Sequence, residues 1–130
     1  MVNHKWVLTA FGAVILGLLV VASGEAGGTP NKTTHLTFSG SVALPGMTLP
    51  AGAYTFELAE PSTNLAIVRV MSRERSKVYY TGFTSPILRP SNLAADRMLT
   101  FGEAPAGSPP PIASWYPSGE SMGHQFIYGH

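Results

Sequence analysis

Proline and glycine punctuate this chain so densely that they decide what it can fold into. The chain has 11 prolines and 14 glycines among 130 residues. Beyond residue 26, no run of ten residues combines helical spacing with freedom from both residue types. The nearest is Ser91–Arg97, which is long enough for a single helical turn. Because proline removes a backbone donor and glycine favours turns, we expect short extended elements instead of helices.

Between these breaks, apolar side chains recur at every second position. In Tyr54–Leu58 they alternate with Thr55 and Glu57, a pattern typical of half-buried β-strands. The run Leu65–Met71 is apolar almost throughout, which predicts a central strand. A strand that starts at His35–Phe38 is predicted to kink or bulge at Gly40 and to continue its alternation through Val42–Leu44, and Met47–Leu49 is a short extended piece. Further strands are predicted at Lys77–Thr84, Asp96–Phe101, Ile112–Tyr116 and Gln125–Tyr128.

The spacing of these strands predicts an all-β fold. Seven to eight short strands at intervals of about ten residues are typical of a small antiparallel β-sandwich or barrel. The charged turn Ser72–Ser76 is predicted to join two of them as a hairpin, and Pro86 and Pro90 bracket a segment that suits an edge or a connection. The side chains expected in the core are Phe38, Tyr54, Phe56, Val68, Val70, Phe101, Trp115 and Phe126.

Residues 1–26 have the pattern of a secretory signal peptide, which we expect to be helical. A short basic start ending at Lys5 precedes the apolar run Trp6–Val21, and small residues follow it. Signal peptidases require small side chains at the third and first positions before the cut. Cleavage after Gly24 and cleavage after Ala26 both satisfy this rule, and the two stay open. The alternative is an uncleaved membrane anchor, although the run is shorter than the about 20 residues of a typical span.

These features divide the chain into a signal peptide at 1–26, a flexible lead-in at 27–33 and a single β domain at 34–130. The protein is therefore expected to be exported, to the periplasm or beyond. The absence of cysteine fits that destination, because the chain has no thiol to oxidise. A formal net charge of +1 gives no reason to expect a nucleic-acid partner, and contact with a membrane is expected only through an uncleaved signal segment.

Two stretches carry a resemblance to known proteins. Leu49–Phe56 resembles the strand opening of many secreted bacterial β domains, and it is also similar to the transthyretin-like, carboxypeptidase-regulatory sandwiches. Trp115–Gly119 followed by Gly123–Tyr128 resembles the C-terminal end of a family of small, exported, uncharacterised bacterial proteins of acidobacterial type. Arg89-Pro90 and Ser108–Pro110 fit the same pattern. The resemblance implies export and a compact β fold, and it implies no activity.

The sequence offers little catalytic or metal-binding machinery. His124 and His130 on one face of a strand would stand about 20 Å apart, too far to share an ion. We therefore predict no metal site and no cofactor. Among the carboxylates, Glu103 and Glu120 lie in loops near the aromatic end of the chain and are the one pair worth testing as glycosidase-type catalysts.

Two groups of residues are candidates for binding. Trp115 and Tyr116 follow a proline-rich loop, and exposed aromatic rings stack on sugars and proline-rich peptides. The alternative is that Trp115 anchors the core, in which case strand alternation turns Tyr116 outward as the better contact residue. Arg73, Arg75 and Lys77 form a basic cluster, for which the alternative is a charged hairpin that discourages edge-to-edge pairing.

We therefore expect an exported module that binds a partner or serves a structural role in the cell envelope, with an envelope protein or glycan as partner. An enzyme is the less favoured alternative: a hydrolase of envelope polysaccharide that uses Glu103 and Glu120. A third alternative is self-assembly through pairing of exposed strand edges. The oligomeric state is left open.

Overall fold

The computed structural model describes residues 18–24 and 32–129, and within these residues it is all β with no helix. No helix in this part of the chain is long and apolar enough to cross a membrane. The strands are β1 (Val20–Gly24), β2 (Thr34–Phe38), β3 (Val42–Leu44), β4 (Met47–Leu49), β5 (Gly52–Glu60), β6 (Asn64–Ser72), β7 (Val78–Leu88), β8 (Leu99–Phe101), β9 (Ile112–Trp115) and β10 (Met122–Phe126).

Eight of these strands form one antiparallel sheet in the order β1-β2-β5-β6-β7-β10-β9-β8, and β3 pairs with β4 as a separate hairpin. The large sheet curls. Phe56 on β5 packs against Trp115 on β9, with 6.2 Å between ring centroids, although three strands lie between β5 and β9 in the sheet. The curl brings the two edge strands, β1 and β8, to opposite sides of one cleft.

The curled sheet encloses a single hydrophobic core. Seven of the eight predicted core residues are buried, which confirms the alternation on which they were chosen; Phe101 is half-buried and packs against the same core. The core also contains Leu36, Leu58 and Leu99, which lie on the same faces of β2, β5 and β8. Burial of such side chains is the main favourable term in folding a domain of this size.

The β3–β4 hairpin adds Val42, Leu44 and Leu49 to this core. It is tied to the far side of the sheet, because the backbone N–H of Ala43 donates to the carbonyl of Pro110 over 2.9 Å. The hydroxyl of Tyr128 reinforces this link, because it lies within hydrogen-bond distance of the carbonyl oxygens of both Ala43, at 3.2 Å, and Ile112, at 2.6 Å.

Several strand boundaries differ from those predicted. β8 begins at Leu99, after turns that replace the helical turn considered for Ser91–Arg97. β10 spans Met122–Phe126 and so begins and ends earlier than predicted. β7 continues through Pro86, where β6 no longer pairs with it, because that pairing ends at Phe83. Proline is tolerated there because one side of the strand is open.

The predicted signal peptide falls largely on residues 1–17, 25 and 26, which lie outside the described residues. Its described part contains β1, which pairs with β2 from Val20 opposite Phe38 to Gly24 opposite Thr34. Of the predicted flexible lead-in, 27–31 also lie outside the described residues. At its last two positions, Thr33 is buried and Lys32 pairs with Glu120 at 2.8 Å.

On the outer face of β9 and β10, the ring of Tyr116 packs directly against Gly123. A Cβ atom at Gly123 would stand 2.3 Å from Cδ1 of Tyr116 and 2.6 Å from the carbonyl oxygen of Trp115. Such distances are too short for any side chain, and the second contact is with backbone that cannot rotate away. Gly123 therefore provides the space in which Tyr116 packs.

We predict that Gly123→Ala lowers the free energy of unfolding by about 1–3 kcal/mol, because the added methyl group overpacks the strand. Gly129→Ala is the matched control, since a Cβ there meets nothing within 4 Å. Urea unfolding followed by circular dichroism measures both variants. Equal unfolding midpoints for the two variants would contradict the packing described here.

Candidate functional site

Trp115 lies wholly inside the core. Its ring packs against Phe56 and stacks on the ring of His124, with 5.1 Å between centroids and 27° between planes. The side chain has no exposed surface. The core-anchor interpretation of Trp115 is confirmed, and its ring has no face to offer to a sugar or peptide.

The expectation that Tyr116 is exposed is wrong. The ring does lie on the side of the strand opposite Trp115, where its hydroxyl accepts a hydrogen bond from Ser114 at 3.1 Å. It is nevertheless only 1% exposed. The Arg89 guanidinium lies 5.6 Å from the ring centre, and Gly123 lets the ring rest against β10. Alternation set the direction of this side chain, and its neighbours set its exposure.

The basic cluster on the β6–β7 hairpin is divided by the fold. Arg73 and Lys77 are exposed, and the Lys77 ammonium lies 5.1 Å from the centre of the Tyr79 ring. Arg75 adopts a left-handed backbone conformation at φ 68°. Its guanidinium reaches back to β5, where Nη1 donates to a carboxylate oxygen of Glu57 at 2.6 Å. The Arg75 guanidinium is therefore engaged in an ion pair with Glu57 within the protein.

Glu57 is the centre of this ionic cluster. It projects away from the core on β5, opposite Arg69 on β6, and its carboxylate has no exposed surface. Arg69 donates to Oε2 from Nη2 at 2.5 Å and from Nε at 3.2 Å, and Thr33 donates to Oε1 at 3.5 Å. The carboxylate is therefore satisfied by two arginines and a hydroxyl, and the cluster ties the hairpin tip to β5 and to the start of β2.

Glu103 and Glu120, the predicted carboxylate pair, are not part of a buried ionic cluster like that of Glu57. Glu120, in the loop between β9 and β10, forms an ion pair with Lys32 in which both side chains are partly exposed. Glu103 is exposed in the loop that follows β8. Among the described residues, no group of three or more histidine, aspartate or glutamate side chains could hold a metal ion.

A cleft lies between the two edge strands in the described part of the chain. Its volume is about 540 Å³, within the range of small-molecule and peptide pockets. Asp96 and Arg97 are exposed at its rim, next to apolar side chains from both edges. The apolar lining comprises Leu18, Leu19, Val20, Val21, Ala22, Leu36, Met98, Leu99 and Phe101.

Sequence reasoning missed this cleft because no single segment encodes it. Its walls come from β1 at one end of the chain and from β8 some 75 residues later, and only the curl of the sheet brings them together. The one indication in the sequence was that Leu99 and Phe101 alternate with Thr100 shortly after the charged residues Asp96 and Arg97.

No known protein family, curated protein or solved structure matches the chain. The geometry of the molecule itself is therefore the basis for any statement about function.

The surroundings of His124 disfavour the charged form of its imidazole. Burial lowers its pKa, and the nearby Glu120 carboxylate opposes this effect to a smaller extent. Its ring is covered by Trp115, and Nδ1 lies 3.4 Å from the hydroxyl oxygen of Thr84. The folded protein thus favours the neutral imidazole.

We predict that Glu57→Gln lowers the free energy of unfolding by about 2 kcal/mol, because both arginines lose a charged acceptor while staying close enough to solvent to recover some hydration. Glu74→Gln is the matched control in the same hairpin, where the carboxylate is exposed, and it should leave the urea midpoint unchanged. Equal midpoints for the two variants would show that the cluster does not stabilise the fold.

We predict that the protein loses stability as the pH falls through the range from about 7 to about 5. The unfolded chain binds a proton at residue 124 in this range while the folded chain resists it, so the free energy of unfolding rises with pH. Urea titrations at several pH values measure this slope. His124→Gln should flatten it, and an unchanged slope in that variant would assign the pH dependence to other groups.

Proposed function

We propose that this protein is an exported binding module and that its binding site is the apolar cleft beside β8, one wall of which is formed by β1 in the uncleaved chain. The observation that carries the proposal is the cleft itself: an apolar depression of about 540 Å³ with Asp96 and Arg97 at its rim. Apolar walls with a few polar groups at the margin are typical of sites that bind ligands through buried surface. An open seam of this kind fits the barrel form of the predicted fold.

The predicted export supports this proposal, because cleavage of the leader would remove β1. The strand lies at Val20–Gly24, within the predicted signal peptide. Cleavage after Gly24 or after Ala26 would detach it from the mature chain. The apolar side chains of Leu36, Leu99 and Phe101 would then face a wider groove. The signal pattern and the cleft therefore point to the same place in the molecule, and a location in the periplasm or outside the cell is part of the proposal.

The hydrolase alternative receives less support. The Glu120 carboxylate is engaged in an ion pair with Lys32, and a catalytic acid or nucleophile needs its carboxyl group directed at substrate. Self-assembly through strand edges stays a prediction. It is compatible with the fold, because β1 and β8 lie at the two edges of the sheet.

The proposal predicts that the exported, cleaved protein binds an apolar fluorescent dye, such as anilinonaphthalene sulfonate, at the cleft. Phe101→Ser should weaken dye binding about tenfold, because one large apolar wall is lost. Phe83→Ser is the matched control: this ring is 61% exposed on β7 and does not line the cleft.

Near-ultraviolet circular dichroism recorded on the same samples establishes that dye is bound by folded protein, since a molten chain also binds such dyes. The same chain produced without export, and therefore retaining residues 18–24, should bind less dye. Equal loss of binding in both phenylalanine variants, or binding that does not depend on Phe101, would refute the cleft as the site.

A further inference from the structure

We infer that the place occupied by β1 is a strand-binding site, which in the mature protein accepts an extended segment of a partner polypeptide with apolar side chains at alternate positions. This inference rests on the proposed function, because it requires export and removal of the leader. It goes further in naming the ligand as a β-strand that adds to the edge of β2.

The position of β1 shows how such a strand would bind. It runs antiparallel to β2 over five residue pairs, from Val20–Phe38 to Gly24–Thr34. One step before the strand, the backbone N–H of Ser39 donates to the carbonyl of Leu19 at 2.9 Å. Alternation along β2 then directs the backbone groups of Thr37 and His35 to the same side. Removal of β1 leaves these groups as an open edge.

The side chains of β1 specify the partner's pattern. Leu18, Val20 and Ala22 pack against the core, whereas Leu19 and Val21 are 65% and 59% exposed. Only every second side chain of β1 therefore packs against the core. The outward apolar residues match the needs of a secretion signal and contribute little burial. A partner strand requires a medium-sized apolar side chain at the positions of Leu18 and Val20 and a small one at that of Ala22, and it is free to be polar between them.

Two other occupants satisfy the site less well. An acyl chain would fill the apolar groove but would leave the backbone groups at the edge of β2 without partners. A second copy that paired its own β2 with this edge would complete the hydrogen-bond ladder but would leave the groove unfilled, because its Leu36 and Phe38 are buried in its own core. An extended segment of another polypeptide supplies both the ladder of hydrogen bonds and the free apolar side chains.

The test uses protein recovered from the exported fraction, with its N-terminus read by intact mass. Because the chain has no cysteine, single introduced cysteines report pairing without ambiguity. Thr37→Cys is combined with a synthetic peptide of residues 18–24 carrying Val21→Cys, since these two residues are opposite each other in the ladder. His35→Cys is the out-of-register control, and the same peptide carrying Ser23→Cys should reverse the preference.

Under mild oxidation, we expect disulfide formation to favour the in-register pairs about tenfold, because Cβ atoms one diagonal step apart are too distant to be bridged. The peptide should also displace the apolar dye from the cleft. Val20→Asp in the peptide should weaken this displacement about tenfold or more, because the charge would enter the apolar groove.

Each contrary result has its own meaning. A recovered chain that still carries residues 18–24 would overturn the export proposal and this inference together, since the site would be filled from within. Correct cleavage and dye binding without displacement by the peptide would overturn only the strand-binding inference. Displacement by a fatty acid but not by the peptide would identify an acyl ligand instead. Disulfide-linked dimers of Thr37→Cys without peptide would identify a second copy as the occupant.

Discussion

The contact between Phe56 and Trp115 across the core is the interaction on which the rest of this structure depends. The two rings belong to β5 and β9, which three strands separate in the sheet, and they meet only because the sheet curls. The right-handed twist of each strand makes such a curl natural, and burial of the aromatic rings stabilises it. The same curl brings β1 and β8 to either side of one cleft, so the packing of the core and the proposed binding surface have a common origin.

The outer face of the sheet is organised by a different interaction. Alternation along β5 turns Phe56 inward and Glu57 outward, and the carboxylate is then covered by Arg69 and Arg75. A buried carboxylate is tolerated only when its charge and its lone pairs are satisfied, which these two guanidinium groups achieve. Arg75 thus pairs with Glu57, whereas Arg73 and Lys77 lie exposed on the same hairpin.

Much of the fold could be predicted because period-two alternation is a local property. Tyr54–Leu58 and Leu65–Met71 needed no partner to be recognised as strands, and their inward side chains are buried. The candidate site could not be predicted in the same way. Tyr116 was correctly directed away from the core but is covered by Arg89 and by packing on Gly123, and such cover depends on residues brought near only by the folded chain.

The sequence by itself determined that this protein is all β, where most of its strands lie and which side chains face the core, because each of these follows from neighbours within a few residues. The pattern of its first 26 residues also predicts export. Only the tertiary structure decided that β1 lies against β2, that Glu57 holds two arginines and that β1 and β8 border a cleft. Those features join residues far apart in the chain, and curling of the sheet is the physical event that places them together.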